Sequence, residues 1–253
     1  MVWYKVWVES RLRFLVAVVA TLTICAGALL LHDTVSEFLA RRSTAPQTFA
    51  AYINRVPYGG AARFLFLTFA IVLGLGGVRR ERELGTAAFT LALPVGRARL
   101  TLARAAAGIG EVVAVAATPA LTILALSPFV DHRYPASQAL ELALMWSAGG
   151  MVLFAVAFLA STLFSGEYTA FVVAHIALLV HTVSTQFMRI ARPAAWQYLR
   201  TLQEVMSGMH MSYFDPAQTL FIGPLPLLPI AILSALTATL VACAVVITIR
   251  QDF

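Results

Sequence analysis

The sequence predicts an all-α polytopic membrane protein: one transmembrane domain over residues 1–253, with six spanning helices. An N-terminal interfacial helix and a short cytoplasmic helix between spans two and three are expected with them. Three observations carry this. Of the 253 residues, 60% are apolar and 12% are charged, about half the charge of an ordinary soluble domain, and the mean hydropathy is +0.83. So little charge cannot cover a globule of this size, which excludes a soluble enzyme, and so much apolar surface excludes disorder. The apolar residues fall into runs near the roughly 20 residues that a spanning helix needs. Strand-like alternation, the mark of a membrane barrel, is absent.

The spans are expected at about 14–31, 62–78, 105–130, 141–165, 168–188 and 225–249. In hydrocarbon the backbone must satisfy its own hydrogen bonds, so each run reads as a helix. The first, preceded by Lys5, Arg11 and Arg13, resembles a signal peptide. It is long enough to span, however, and His32-Asp33-Thr34 offers no small-residue cleavage site, so it reads as uncleaved. The second is short, and Arg63 at its edge is expected to snorkel outward. The third is broken by Glu111 and bent by Pro119 and Pro128. The fifth carries His175 and His181. Before the first span, Lys5, Glu9 and Arg13 form one polar stripe at i, i+4 and i+8. Trp3, Tyr4 and Trp7 suit the headgroup boundary, so residues 2–13 read as a helix lying on the membrane surface. Trp196, Leu199, Leu202 and Met206 predict a short amphipathic helix resting on the other face.

Charge sets the orientation. The net charge of +6 comes from 18 Lys+Arg against 12 Asp+Glu, and in a membrane chain it reads as a topology signal rather than a nucleic-acid footprint. Residues 79–104 hold Arg79, Arg80, Arg82, Arg97, Arg99 and Arg104, so this loop is expected in the cytoplasm together with both termini. Segments 32–63, 129–141 and 189–224 then lie outside. Cys25 and Cys243 both sit in apolar runs, and no Cys/His metal cluster is present in the pattern. No metal and no catalytic group is expected.

The informative stretch is the arginine-rich loop. After the charged residues 79–83 come Gly85 and Thr86, whose hydroxyl suits an N-cap. A short helix over about 87–92 would end at Leu93, which precedes Pro94. Arg97 opens the third span. Phe89, Leu91 and Leu93 on so small an element call either for a protein partner or for packing on the lipid surface or on the bundle itself.

The run Glu81-Arg82-Glu83-Leu84-Gly85-Thr86, followed by Leu91-Ala92-Leu93-Pro94-Val95-Gly96-Arg97, resembles the signature of the type-2 ATP-binding-cassette (ABC) permease family. That signature is a Glu-x-Glu-x-Gly-Thr motif and then Leu-x-x-Pro-Val-Ser-Arg, between the second and third of six spans. Gly96 stands where the family has serine. Trp7, Glu9 and Arg11 resemble the family's N-terminal interfacial helix, and residues 250–253 its usual tail. The likeness covers the chain in span count and spacing and is motif-specific over 81–97. It implies the membrane subunit of an ABC exporter in a plasma (inner) membrane, paired with a second permease as homodimer or with a sister subunit. Residues 81–93 would be a coupling helix gripping a separate ATPase subunit, with Glu81, Glu83, Gly85, Thr86, Phe89, Leu93, Pro94 and Arg97 as the coupling residues. ATP and Mg would be held by that partner, with no cofactor in this chain. One absence in the sequence fits: no G-x-x-x-x-G-K-[ST] occurs, and Lys5 is the sole lysine, so this chain has no phosphate loop of that kind.

Two rival classes are a secondary transporter, which should show repeats around a midplane site, and a membrane-embedded enzyme built on Glu111, Glu167 and the histidines. No repeat and no H-E-x-x-H is found. Glu111 either lines the transport path or subunit interface, or stays near the inner boundary, hydrated or paired with an arginine. His175 and His181, six residues apart, fall on different helix faces and read as buried hydrogen-bonding groups rather than metal ligands. The glycines of spans two and four read as close-packing sites.

Overall fold

A computed structural model describes residues 2–41, 48–76, 85, 95–191, 197–208, 220 and 223–251. Among them every regular element is helical: α1 (Val2–Leu30), α2 (His32–Ala40), α3 (Phe49–Arg55), α4 (Gly60–Gly74), α5 (Arg97–Leu126) with a 3-10 turn at Ser127–Val130, α6 (Ala136–Leu163), α7 (Glu167–Ala191), α8 (Gln197–Met206) and α9 (Leu227–Arg250). Six helical stretches are long and apolar enough to cross a membrane: α1, α3 through α4, α5 with its 3-10 turn, α6, α7 and α9. The chain is thus an all-helical, multi-pass membrane protein.

α6 is the axis. Leu142, Trp146, Leu153 and Phe154 are fully buried in it, and α5, α4, α9, α7 and α8 pack around it, with α1 against α5 and α4. Trp146 is held by Phe66 stacked at 4.7 Å and Tyr58 edge-on at 5.5 Å. The peripheral helices turn apolar side chains outward. On α7, Val172, Ile176, Leu179, Val183 and Phe187 make one exposed stripe at three- and four-residue steps. In water such a stripe would drive aggregation, whereas in hydrocarbon it is the lipid face.

The first element departs from expectation. Residues 2–13 are not a separate surface helix but the first three turns of α1, which runs unbroken for 29 residues. At 1.5 Å per residue it is about 43 Å long, well beyond the hydrocarbon thickness of about 30 Å. The reason is tertiary: the polar stripe of Lys5, Glu9 and Arg13 finds protein partners and does not need a headgroup layer. The second span differs too. α4 has only 15 residues, and α3 precedes it across a bend at 56–59. Glu111 does not interrupt the third span, which continues to Leu126 before the Pro128 turn.

The expected amphipathic helix is α8, but it does not simply rest on a membrane face. Val205 and Glu204 are buried, and α8 packs against α6, α9 and α7. A Cβ on Gly149 would fall 2.1 Å from the Met206 carbonyl oxygen. Only a glycine lets the end of α8 lie this close to α6, near the middle of that helix. The expected close-packing role thus holds for Gly149, as it does for Gly74, where a Cβ would fall 2.4 Å from the Phe154 carbonyl oxygen.

Candidate functional site

The start of α1, the end of α4, the start of α5 and the ends of α6 and α9 meet at one end of the bundle. Between the end of α4 and the start of α5 runs the arginine-rich loop. Its inner part is outside the described residues, so Glu81, Glu83, Thr86, Phe89, Leu93 and Pro94 of the expected coupling helix cannot be located. Gly85 is described: it is exposed and has φ +72°, the left-handed backbone that glycine adopts without steric cost. What the fold does define is how both roots of the loop are held.

The departing root is gripped from three helices. Arg13 of α1 donates to the Leu75 carbonyl at 2.8 Å and to that of Val72 at 3.3 Å, adding to the capping bond that Val72 already accepts from the Leu75 N–H and capping the end of α4. A guanidinium suits this because its fork reaches two acceptors at once. From α6, the Ser161 hydroxyl donates to the Gly76 carbonyl at 2.8 Å. Arg104 of α5 lies against Gly76, where a Cβ would fall 2.3 Å from its guanidinium. Gly76 has φ +114°, a backbone that demands glycine there.

The returning root is tied through α9. Arg97, the first residue of α5, donates to the Gln251 carbonyl at 2.6 Å. The Gln251 amide in turn donates to the Thr162 carbonyl at 2.8 Å. Ser161 and Thr162 are neighbours, so the last turn of α6 stands between the two roots and takes part in both clamps.

Glu9 and Glu111 complete the cluster. Glu9 pairs with Lys5 at 3.3 Å and with Arg104 at 3.6 Å, linking α1 to α5. Glu111 is buried and accepts a hydrogen bond from Ser10. It lines a cavity of about 20 Å³ with Arg13, Glu9 and Arg104, room for about one water molecule and too small for a cargo.

The site residues expected within the membrane are not brought together. Glu111 belongs to the charged end. His175 lies half-buried on α7, within 3.0 Å of its own helix's Phe171 carbonyl and against the Phe171 ring. His181 is buried toward α8, its Nε2 2.9 Å from the Ser207 hydroxyl. Arg63, expected to reach outward, extends to the Ser207 carbonyl at 3.4 Å. Gln203 donates to Ser184 at 3.0 Å, and Arg200 pairs with Glu204 at 2.9 Å. Among the described residues no three His, Cys, Asp or Glu side chains come together as a metal site.

Sequence reasoning missed Ser10, Ser161, Thr162 and Gln251. Ser161-Thr162 did leave a signal, a polar pair closing an apolar run. Ser10 and Gln251 act through partners about 100 and 90 residues away in sequence, which no local pattern reveals. Comparison with protein-family models, characterised proteins and solved structures finds no match to this chain.

Proposed function

We propose that this chain is the membrane-spanning permease subunit of an ATP-driven ABC exporter, working as a dimer with itself or a sister subunit. A separate ATPase subunit would hold ATP and Mg and grip residues 81–93. The observation that carries the reading is the double clamp on the loop's roots. A loop that only connected two spans would need no charged grip from α1 and α5 backed by polar ties to α6 and α9. A loop that receives force from a motor needs both ends fastened, so that its displacement moves helices and is not absorbed as slack. Arg13 and Ser161 would pass motion at the departing root to α1 and α6. Arg97, through Gln251, would pass it to α9, and directly to α5. The signature over residues 81–97 supports the same reading, with both termini in the cytoplasm of a plasma membrane.

The test is co-purification with the candidate ATPase, with export measured in the same membranes. Glu83→Arg reverses charge at the docking surface and should reduce recruitment. Thr86→Ala removes the proposed cap, at a cost of about 1 kcal/mol, and should lower export more than recruitment. Wild-type recruitment and export in both Glu83→Arg and Phe89→Asp would refute the coupling role. Orientation is checked separately: single cysteines at Ser43, Ser137 and Ser212 should react with an impermeant thiol reagent from outside, and those at Thr90 and Ser165 should not.

A further inference from the structure

Beside the charged cluster, the starts of α1 and α5 enclose a groove of about 700 Å³. Its lining changes character with depth. Arg99 stands at the mouth, one half-turn into α5. Ala98, Leu102, Ala103 and Ala106 line the wall, with Trp3 of α1 opposite. From Arg99 to Ala106 is about 10 Å along the helix. The alanines make the space, since longer side chains there would fill the gap between Trp3 and Leu102. Trp3 and Leu102 are 61% and 51% exposed, so the groove opens sideways, toward lipid.

Arg99 differs from its neighbours. Arg13, Arg97 and Arg104 are all engaged within the protein, while Arg99 is exposed and has no hydrogen-bond or ion-pair partner among the described residues. The first residues of both α1 and α5 also border the groove, so two helix N-termini bring positive partial charge toward its mouth. A cationic mouth over an apolar trough has the polarity of one kind of molecule that surrounds the protein.

We infer that this groove is a binding site for an anionic phospholipid, with its phosphate at Arg99 and an acyl chain along Leu102, Ala103 and Ala106 against Trp3. A second copy of the chain fits less well. A two-fold interface buries the same patch from both partners and would bring two like-charged Arg99 side chains together. The inference needs only that α1 and α5 cross the bilayer, so it stands or falls apart from the transport reading.

The experiment uses the full chain in phosphatidylcholine vesicles doped with phosphatidylglycerol, with bromine on the acyl chains of one lipid or the other. Bromine quenches tryptophan at contact, and the difference between the full chain and Trp3→Phe isolates the share of Trp3. One arginine near an anionic headgroup gives about a fivefold preference. Brominated phosphatidylglycerol should therefore quench Trp3 about fivefold more per molecule than brominated phosphatidylcholine. Arg99→Gln should bring the ratio to one, and Arg99→Lys should retain it. Ala106→Phe fills the trough and should lower quenching by both lipids. In the unmodified protein, 1 M salt should also drive the ratio toward one, because screening then acts within about 3 Å. This arm holds even if a variant fails to insert. Equal quenching by the two lipids at low salt, or a preference that survives both Arg99→Gln and 1 M salt, would overturn the site. So would an Ala106→Phe protein that loses dimer crosslinking while its lipid quenching is unchanged, since the groove would then be an interface between copies.

Discussion

The two ends of the bundle are built from different chemistry. At the loop end, charged side chains hold backbone carbonyls and one another: Arg13 on Leu75 and Val72, Arg97 on Gln251, and Glu9 between Lys5 and Arg104. At the other end most ties are neutral. Tyr52 donates to the Ala28 carbonyl, Tyr58 to that of Ala139 at 3.4 Å, and Tyr134 to Asn54 at 3.3 Å. Tyr134 lies between the spans, and its phenol is held above the ordinary tyrosine range by burial first and then by Glu141. It therefore stays a hydrogen-bond donor at pH values where an exposed tyrosine would ionise. Neutral bonds of this kind fix a packing arrangement and are lost only when that packing is lost. The arginine bonds at the loop end are charge-assisted and, with Ser161 and Gln251, tie the loop's roots to α1, α5, α6 and α9. The loop end is thus suited to move as one fastened unit and the other end to stay.

The strongest way to break the contrast is at Gly149, where the rigid half depends on contact between α8 and α6. In Gly149→Val the new side chain meets the Met206 backbone, which cannot rotate aside as a side chain would. The expected loss is about 3 kcal/mol, the upper end for overpacking, read as a lower unfolding midpoint in detergent. A cysteine at Ser207 should become reactive in the same variant, because α8 must lift. An unchanged midpoint would mean that α8 is loosely seated and that the far end is not the rigid one.

Next comes Arg13. Arg13→Gln removes a charged donor from two carbonyls, and hydrogen bonds to charged groups contribute about 1.5–3 kcal/mol each. Part is recovered because water reaches this end of the helix, so a loss of about 2 kcal/mol in unfolding is expected. Arg13→Lys should recover less than half, since an ammonium cannot fork across Leu75 and Val72. Full rescue by lysine would reduce the clamp to simple charge.

These cases also mark what could be read in advance. All six spans were legible as spans, because hydrocarbon imposes length and composition on each helix independently of its neighbours. The fifth and sixth were legible almost to their ends, while α1, α5 and α6 begin before the expected residues 14, 105 and 141. The second was less so, since its bend at 56–59 and its short α4 reflect packing under Tyr58 and Trp146. The stripe of Lys5, Glu9 and Arg13 was legible as a stripe, yet its meaning was not. The same spacing serves a membrane surface or a protein clamp, and the choice is made by residues 75, 76 and 104. For α8 the amphipathic pattern was plain, but nothing local says that Gly149 admits its end into the bundle. Gly76 was read for packing, and its positive φ belongs to the loop root. His175 and His181 were read as hydrogen-bonding groups, and Ser207 supplies the contact for His181.

The smallest effect sharpens the comparison most. Glu9 joins Lys5 and Arg104, but all three side chains remain 23% to 32% exposed, so water and salt screen the pairs. Exposed pairs of this kind contribute about 0.2–1 kcal/mol. Glu9→Gln should therefore lower stability by about 0.5 kcal/mol at low salt and by almost nothing at 1 M, where screening acts within about 3 Å. Ser10→Ala, one residue on, should behave differently. It deprives the buried Glu111 of its hydroxyl donor, and a buried acceptor left without its partner costs about 1–3 kcal/mol. Salt does not reach that bond, so the loss should persist at 1 M. Measured side by side across a salt series, the two variants should diverge: the Glu9→Gln deficit fades and the Ser10→Ala deficit does not. If both fade together, Glu111 is hydrated and shares the screened environment of Glu9. The loop end would then be a solvated patch and not a clamp with a buried core.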